Sequence, residues 1–163
     1  MRTQVLTELI GGIWHTTPKH KFDNIIKTGS ILPEPDPQFG SRWRPMGDGD
    51  HRPYVRTLGG VSLFDFEQFE PETYSEKYPS SSWMTFVPAV DSSAVWIEID
   101  RAKVGGNFIS GSDLLARWKT EKAYGHGIMP LIEAAHLGPL PRAFFKRAFL
   151  VCKEKREISS LDC

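Results

Sequence analysis

Apolar and polar residues alternate most clearly in the middle of the chain, in "SSAVWIEID" at positions 92–100. Val95, Ile97 and Ile99 occupy every second position there, which is the period of a strand with one buried face. Two shorter apolar segments, "GGVSLFDF" at 59–66 and "IMPLIEAAHLGPLP" at 128–141, also predict strands. The segment "AFFKRAFLVCK" at 143–153 fits either a short helix or a strand.

The first part of the chain predicts a strand that leads directly into a helix. The strand covers Ile10 to His15, and Thr17 followed by Pro18 has the character of a helix N-cap and first turn. Apolar residues then recur at helical spacing until Thr28, and Gly29 suits the left-handed position that ends a helix.

A second helix is predicted from "GSDLLARWKTEKAYG" at 111–125, capped by Ser112 or Asp113. Between the first helix and the 59–66 strand lies a long stretch rich in proline, glycine and aspartate, and a loop of that length is typically functional. The helices do not alternate regularly with the strands, so the pattern favours an α+β fold in one domain over 1–152. We expect 153–163 to be a polar tail.

Length and composition narrow the class of protein. The 163 residues suffice for one domain with a sizeable core, and the 40% hydrophobic content is that of a folded protein. Lys and Arg total 20, as do Asp and Glu, so no overall positive field favours nucleic acid, although nucleic acid is not excluded. With no signal-peptide pattern, no membrane-spanning run and two cysteines, we expect a cytoplasmic protein with no metal site.

Three residues are candidates for chemistry. Glu133 lies among apolar residues in a segment that is predicted to be buried. A buried carboxylate needs a charged or hydrogen-bonding partner, or it is retained for a function. His15 ends the first predicted strand, and Ser62 lies in the "GVSLF" strand. Taken singly, each also has an ordinary explanation: a glutamate on a solvent-facing edge or paired with an arginine, a structural histidine, and a serine at a strand end.

Together, the three segments resemble the ADP-ribosyltransferase superfamily, whose members use NAD and carry an H-Y-E or R-S-E triad on three strands. "WHTTPKHKFDNIIKTGSILPEP" is similar to the family's opening block, "GVSLF" to its second strand and "EAAHLGPLP" to its closing block. The resemblance implies a single compact domain with a split, mostly antiparallel β core and a few short helices. It also implies NAD as co-substrate and Glu133, His15 and Ser62 as the triad.

The resemblance further implies how NAD is held. His15 would bind a ribose hydroxyl, the Thr16 backbone would hold the nicotinamide carboxamide, and Glu133 would stabilise the cation formed when nicotinamide leaves. Since Ser62 stands where tyrosine is common in the family, Phe64, Tyr54 or Phe66 would supply the stacking ring. A basic stretch in the long loop would neutralise the pyrophosphate, through Arg42, Arg44 and Arg52.

The sequence identifies neither the acceptor of ADP-ribose nor the biological setting. The expected class of enzyme is a toxin, effector or defence enzyme. Leu131, two residues before Glu133, argues against an arginine acceptor and leaves nucleic acid, another protein side chain, a small molecule or water. The alternative function is a non-catalytic interaction module of the same fold, binding a macromolecular partner through Arg42, Trp43 and Arg44. His126 and His136, which flank Glu133, are further acid or base candidates.

Overall fold

The computed structural model describes residues 1–33 and 53–163. The helices of this part of the chain are α1 Arg2–Leu9, α2 Lys19–Thr28, α3 Tyr54–Thr57, α4 Pro71–Lys77, α5 Trp83–Phe86 and α6 Gly111–Thr120. Its strands are β1 Ile13–Thr17, β2 Ser30–Ile31, β3 Gly60–Asp65, β4 Ser93–Ile99, β5 Phe108–Ile109, β6 Glu133–Leu137, β7 Leu140–Pro141, β8 Phe145–Cys152 and β9 Glu157–Leu161.

Seven of these strands form one sheet in the order β5-β6-β3-β1-β4-β8-β9, and β2 pairs with β7 in a second sheet. Every pairing between these strands is antiparallel. The expected α+β class, with a mostly antiparallel sheet and short helices in one compact domain, is therefore confirmed. Strands adjacent in the sheet are often distant in sequence, which brings the three candidate segments together.

The central strand β1 contributes side chains to two apolar clusters, one on each face of the sheet. Trp14 faces a cluster of aromatic residues on one side of the sheet, whereas Ile13 faces an aliphatic cluster on the other. Trp14 is fully buried and its indole Nε1 donates to the Leu9 carbonyl at 2.8 Å, so α1 packs against this face. Both faces of the sheet are thus covered, and β1 is fixed in position by packing on each side.

Helix α2 begins and ends close to the predicted positions, but its cap differs. Pro18 is the N-cap residue and Thr17 is the last residue of β1, with its side chain buried, so the prediction of Thr17 as the cap is wrong. Gly29 has φ +80° and donates its N–H to the Ile25 carbonyl at 2.8 Å, which confirms it as the left-handed end of the helix.

Helix α6 is capped two or three residues earlier than predicted. The Ser110 hydroxyl accepts a hydrogen bond from the Asp113 amide at 3.2 Å, so neither Ser112 nor Asp113 is the N-cap residue. Gly111 is consequently the first residue of the helix.

The prediction of a polar tail over 153–163 is wrong for Glu157–Leu161. Glu157–Leu161 forms strand β9, which pairs with β8 at the edge of the large sheet. An edge strand is bonded on one side only and its residues here are half-buried or exposed, so it needs few apolar side chains. The segment 143–153, left open as helix or strand, is mainly strand β8.

Candidate functional site

Three neighbouring strands of the large sheet carry the candidate triad. His15 lies on β1, Ser62 on β3 and Glu133 on β6, and β3 pairs with both of the others. The register places Glu133 opposite Phe64. Because directly paired residues point to the same face, and residues two apart on a strand do so as well, Ser62, Phe64 and Glu133 share one face of the sheet.

A cavity of about 840 Å³ opens beside these strands. It is lined by all of the predicted site residues that the structure describes except Tyr54, namely His15, Thr16, Ser62, Phe64 and Glu133. Helix α2 borders the cavity on another side, and the residues around 80–82 and 127–129 complete the wall. A volume of this size accommodates a ligand as large as a dinucleotide.

Glu133 is only 5% exposed, although it lines the cavity. Its carboxylate accepts a hydrogen bond from the Met129 amide at 2.9 Å and another from the Ser62 hydroxyl. Burial raises the pKa of this carboxyl to about 7, and the two hydrogen bonds and the nearby Arg56 charge restrain the rise. Strand β6 is paired on both sides, so the alternative of a solvent-facing glutamate on an edge strand is wrong.

Ser62 connects the other two members of the triad. Its hydroxyl donates to Glu133, and its backbone carbonyl lies 3.0 Å from Nδ1 of His15. Because a carbonyl oxygen can only accept, Nδ1 of His15 is the donor in this contact and carries a proton. The hydroxyl and the backbone carbonyl of Ser62 thus connect β3 to Glu133 on β6 and to His15 on β1.

Of the three aromatic residues considered for stacking, Phe64 alone lines the cavity. Its ring is 5% exposed and packs edge-on against Phe86, with 5.1 Å between centroids. Phe86 lines the cavity as well, so the two rings form one aromatic wall beside Glu133. Phe66 is fully buried in the aromatic core and is not part of the cavity wall.

Tyr54 lies away from the cavity, contrary to the expectation that it contributes to cofactor binding. Its ring is buried in a small cluster with Leu114 and Ala135, and its hydroxyl donates to Glu121 at 2.5 Å. Burial and the Glu121 carboxylate raise the pKa of the tyrosine hydroxyl to about 12. Tyr54 therefore anchors α3 against α6 instead of contacting a ligand.

Thr16 stands opposite Trp96 in the β1–β4 pairing and reaches the cavity wall. Its hydroxyl oxygen is buried and has no hydrogen-bond partner in the described part of the chain. A buried hydroxyl without a partner costs free energy, and such a group is common where a ligand supplies the missing bond. This observation is consistent with Thr16 as a ligand-contacting residue.

Two cationic residues of the cavity wall are absent from the predicted site. Lys21 lies on α2, and Arg56 lies at the end of α3. A signal for Lys21 exists in the sequence, because Lys21, Asn24 and Thr28 recur at helical spacing and all three line the cavity. The predicted cofactor residues Arg42, Arg44 and Arg52 lie outside the described residues, as does Trp43 of the alternative partner-binding surface.

His136 and His126 do not join the triad. His136 is 3% exposed on β6 and packs edge-on against Phe144, 6.0 Å between ring centroids. It does not line the cavity, unlike His15. His126 accepts at its carbonyl from the Trp118 indole at 3.0 Å and does not line the cavity.

Within residues 1–33 and 53–163, no group of three or more His, Cys, Asp or Glu side chains could hold a metal ion. The same part of the chain has no helix with the length and apolar character needed to cross a bilayer. In comparisons with known proteins, no family model and no curated protein matches this chain. The arguments for its function therefore come from its own residues and geometry.

Proposed function

We propose that the protein is an NAD-dependent ADP-ribosyltransferase that cleaves the bond between nicotinamide and ribose. The observation that carries the proposal is Glu133, a buried carboxylate that lines a dinucleotide-sized cavity and accepts hydrogen bonds from Ser62 and Met129. A buried carboxylate beside a cavity, with its pKa raised to about 7 by burial, is a feature of catalytic sites.

The reaction needs a fixed negative charge at one point. When the bond between C1′ and the pyridinium nitrogen breaks, the bonding electrons leave with neutral nicotinamide, and positive charge develops on the ribose. An ionised carboxylate held beside C1′ stabilises this charge more in the transition state than in the ground state, which is what accelerates the step. The acceptor nucleophile then bonds to C1′ and loses its proton.

The remaining cavity residues have roles that match the parts of NAD. His15 and Thr16, which both line the cavity, are assigned to the nicotinamide riboside in this proposal, and Ser62 orients the Glu133 carboxylate by donating to it. The rings of Phe64 and Phe86 offer an aromatic wall for nicotinamide.

The two cations of the wall, Lys21 and Arg56, suit the pyrophosphate, because both present N–H donors with positive charge to anionic oxygens. Arg42, Arg44 and Arg52 of the long loop, which lie outside the described residues, stay predicted for the same role.

The test is nicotinamide release from NAD by the purified protein, with Glu133→Gln as the variant. Glutamine keeps the size of the side chain but cannot carry the charge, so release falls by about a hundredfold or more. Glu98→Gln is the matched control, since Glu98 is a buried carboxylate of the same sheet that does not line the cavity. Absence of both NAD binding and nicotinamide release in the wild-type protein would contradict the proposal.

A further inference from the structure

The segment that leads into Glu133 has an unusual backbone. Leu131, two residues before Glu133, has φ +65°, and its side chain is 38% exposed. A left-handed conformation costs a residue with a side chain about 1–2 kcal/mol. Because the Leu131 side chain is partly exposed, its burial does not fully offset this cost. The surrounding structure must therefore hold this turn in place.

The closest contact to the turn comes from Gly111, the first residue of α6. A Cβ atom at this position would lie 1.8 Å from the Leu131 carbonyl oxygen and 2.4 Å from its carbonyl carbon. Side chains do not approach backbone atoms more closely than about 3.0 Å, so any residue other than glycine must displace the turn by more than 1 Å. Gly111 itself is not left-handed, so the reason for glycine here is space and not conformational freedom.

Hydrogen bonds connect the same turn to the Glu133 carboxylate. The Glu133 amide donates to the Met129 carbonyl at 2.9 Å, and the Met129 amide donates to the Glu133 carboxylate at 2.9 Å. The carbonyl of Ile132 accepts from the Asp65 amide at 2.8 Å, which joins the turn to the end of β3. A displacement of Leu131 therefore moves both ends of the bond that fixes the carboxylate.

Asp65 also links the turn to α6. Its carboxylate lies 3.5 Å from the Gly111 amide and accepts from Arg101 at 2.6 Å. The start of α6 and the end of β3 thus enclose the turn from two sides.

We infer that Gly111 is a positioning residue for Glu133: its lack of a side chain lets α6 pack directly against the Leu131 carbonyl, and this contact sets the carboxylate in the cavity. The inference rests on the proposed function for its effect on turnover, but the placement of the carboxylate can be measured without NAD.

The experiment compares Gly111→Ala with Gly106→Ala. Gly106 is the matched control, because a Cβ there meets no atom within 4 Å and its backbone is not left-handed. The first readout is the resonance of the Met129 amide proton as a function of pH. In the wild-type protein this proton is bonded to the Glu133 carboxylate, so its resonance follows the titration of that group near pH 7.

In Gly111→Ala the Met129 resonance loses this titration, whereas Gly106→Ala retains it. The second readout is turnover: nicotinamide release falls by about a hundredfold in Gly111→Ala, the effect of misplacing a reacting group by about 1 Å, while the dissociation constant for NAD changes less than about threefold. An unchanged Met129 titration in folded Gly111→Ala would overturn the inference.

If Gly111→Ala does not fold, the double variant Gly111→Ala/Leu131→Gly replaces it, because glycine at 131 lets the carbonyl turn away from the new methyl group. The inference predicts a folded protein that still lacks the Met129 titration, and retention of the titration would refute it. If the wild-type protein releases no nicotinamide, the proposed function fails, and the Met129 resonance still decides the role of Gly111.

Discussion

Glu133→Gln is expected to increase the free energy of unfolding relative to the wild-type protein, and this difference should grow as the pH rises. Burial lifts the pKa of the Glu133 carboxyl from 4.5 to about 7 in the folded state, so between these values the folded protein binds a proton that the unfolded chain has released. Folding stability therefore falls with increasing pH through this window, at 1.36 kcal/mol per pH unit. The full cost of the ionised carboxylate, reached above pH 7, is about 3 kcal/mol.

Glu133→Gln removes this cost because glutamine does not titrate. Any constant difference in hydrogen bonding between the two side chains is the same at every pH, so the informative quantity is the change in the stability difference. From pH 5 to pH 8, the free energy of unfolding of the variant relative to wild type should rise by about 2 to 3 kcal/mol. Urea unfolding followed by tryptophan fluorescence at a series of pH values measures it.

The control for this experiment is Glu98→Gln. Burial would raise the pKa of the Glu98 carboxyl, but hydrogen bonds from Lys146 and Arg147 hold it below its ordinary 4.5. A carboxyl whose pKa is lowered by folding stabilises the folded protein at every pH above its pKa in the unfolded chain, and this contribution is lost only in acid. The difference in free energy of unfolding between Glu98→Gln and wild type therefore stays nearly constant from pH 5 to pH 8. A flat difference for Glu133→Gln as well would refute the reasoning that Glu133 is ionised at a cost.

Three further predictions concern activity. The value of kcat/KM for nicotinamide release should rise with pH and level off above about 7, since the ionised carboxylate is the active form; a flat profile from pH 5.5 to 8 contradicts this. Ser62→Ala removes a hydrogen bond that lowers the pKa of Glu133, so the inflection in the pH dependence of kcat/KM should move to higher pH. An unchanged inflection would rule out the hydrogen bond from Ser62 to Glu133. His15→Ala should weaken NAD binding about tenfold or more in calorimetry, because His15 lines the cavity. His136→Ala should leave NAD binding unchanged and lower stability, because His136 is buried and does not line the cavity; equal effects of the two substitutions on binding would argue against the site.

Local patterns in the sequence predicted the elements that depend on local interactions. The alternation at 92–100 became β4, and Gly29 ends α2 because its left-handed backbone suits glycine. Glu133 stood out because a carboxylate amid apolar residues requires a special environment, and the structure places it buried beside a cavity.

Features that depend on contacts distant in sequence were not predicted. Tyr54 of α3 packs against α6 because its hydroxyl donates a hydrogen bond to Glu121, which lies 67 residues away. Strand β9 exists because β8 offers an open edge, and its own polar residues carry no strand signal. The role of Gly111 depends on the backbone of Leu131 reaching it, a contact that no spacing in the sequence reveals.

The most direct measurement is a crystal structure of the Glu133→Gln variant with NAD, because this variant should bind the dinucleotide without cleaving it. The account predicts NAD in the cavity, with the nicotinamide ribose beside position 133 and the pyrophosphate towards Lys21 and Arg56. An empty cavity at saturating NAD, or NAD bound with its nicotinamide ribose away from position 133, would contradict the central claim.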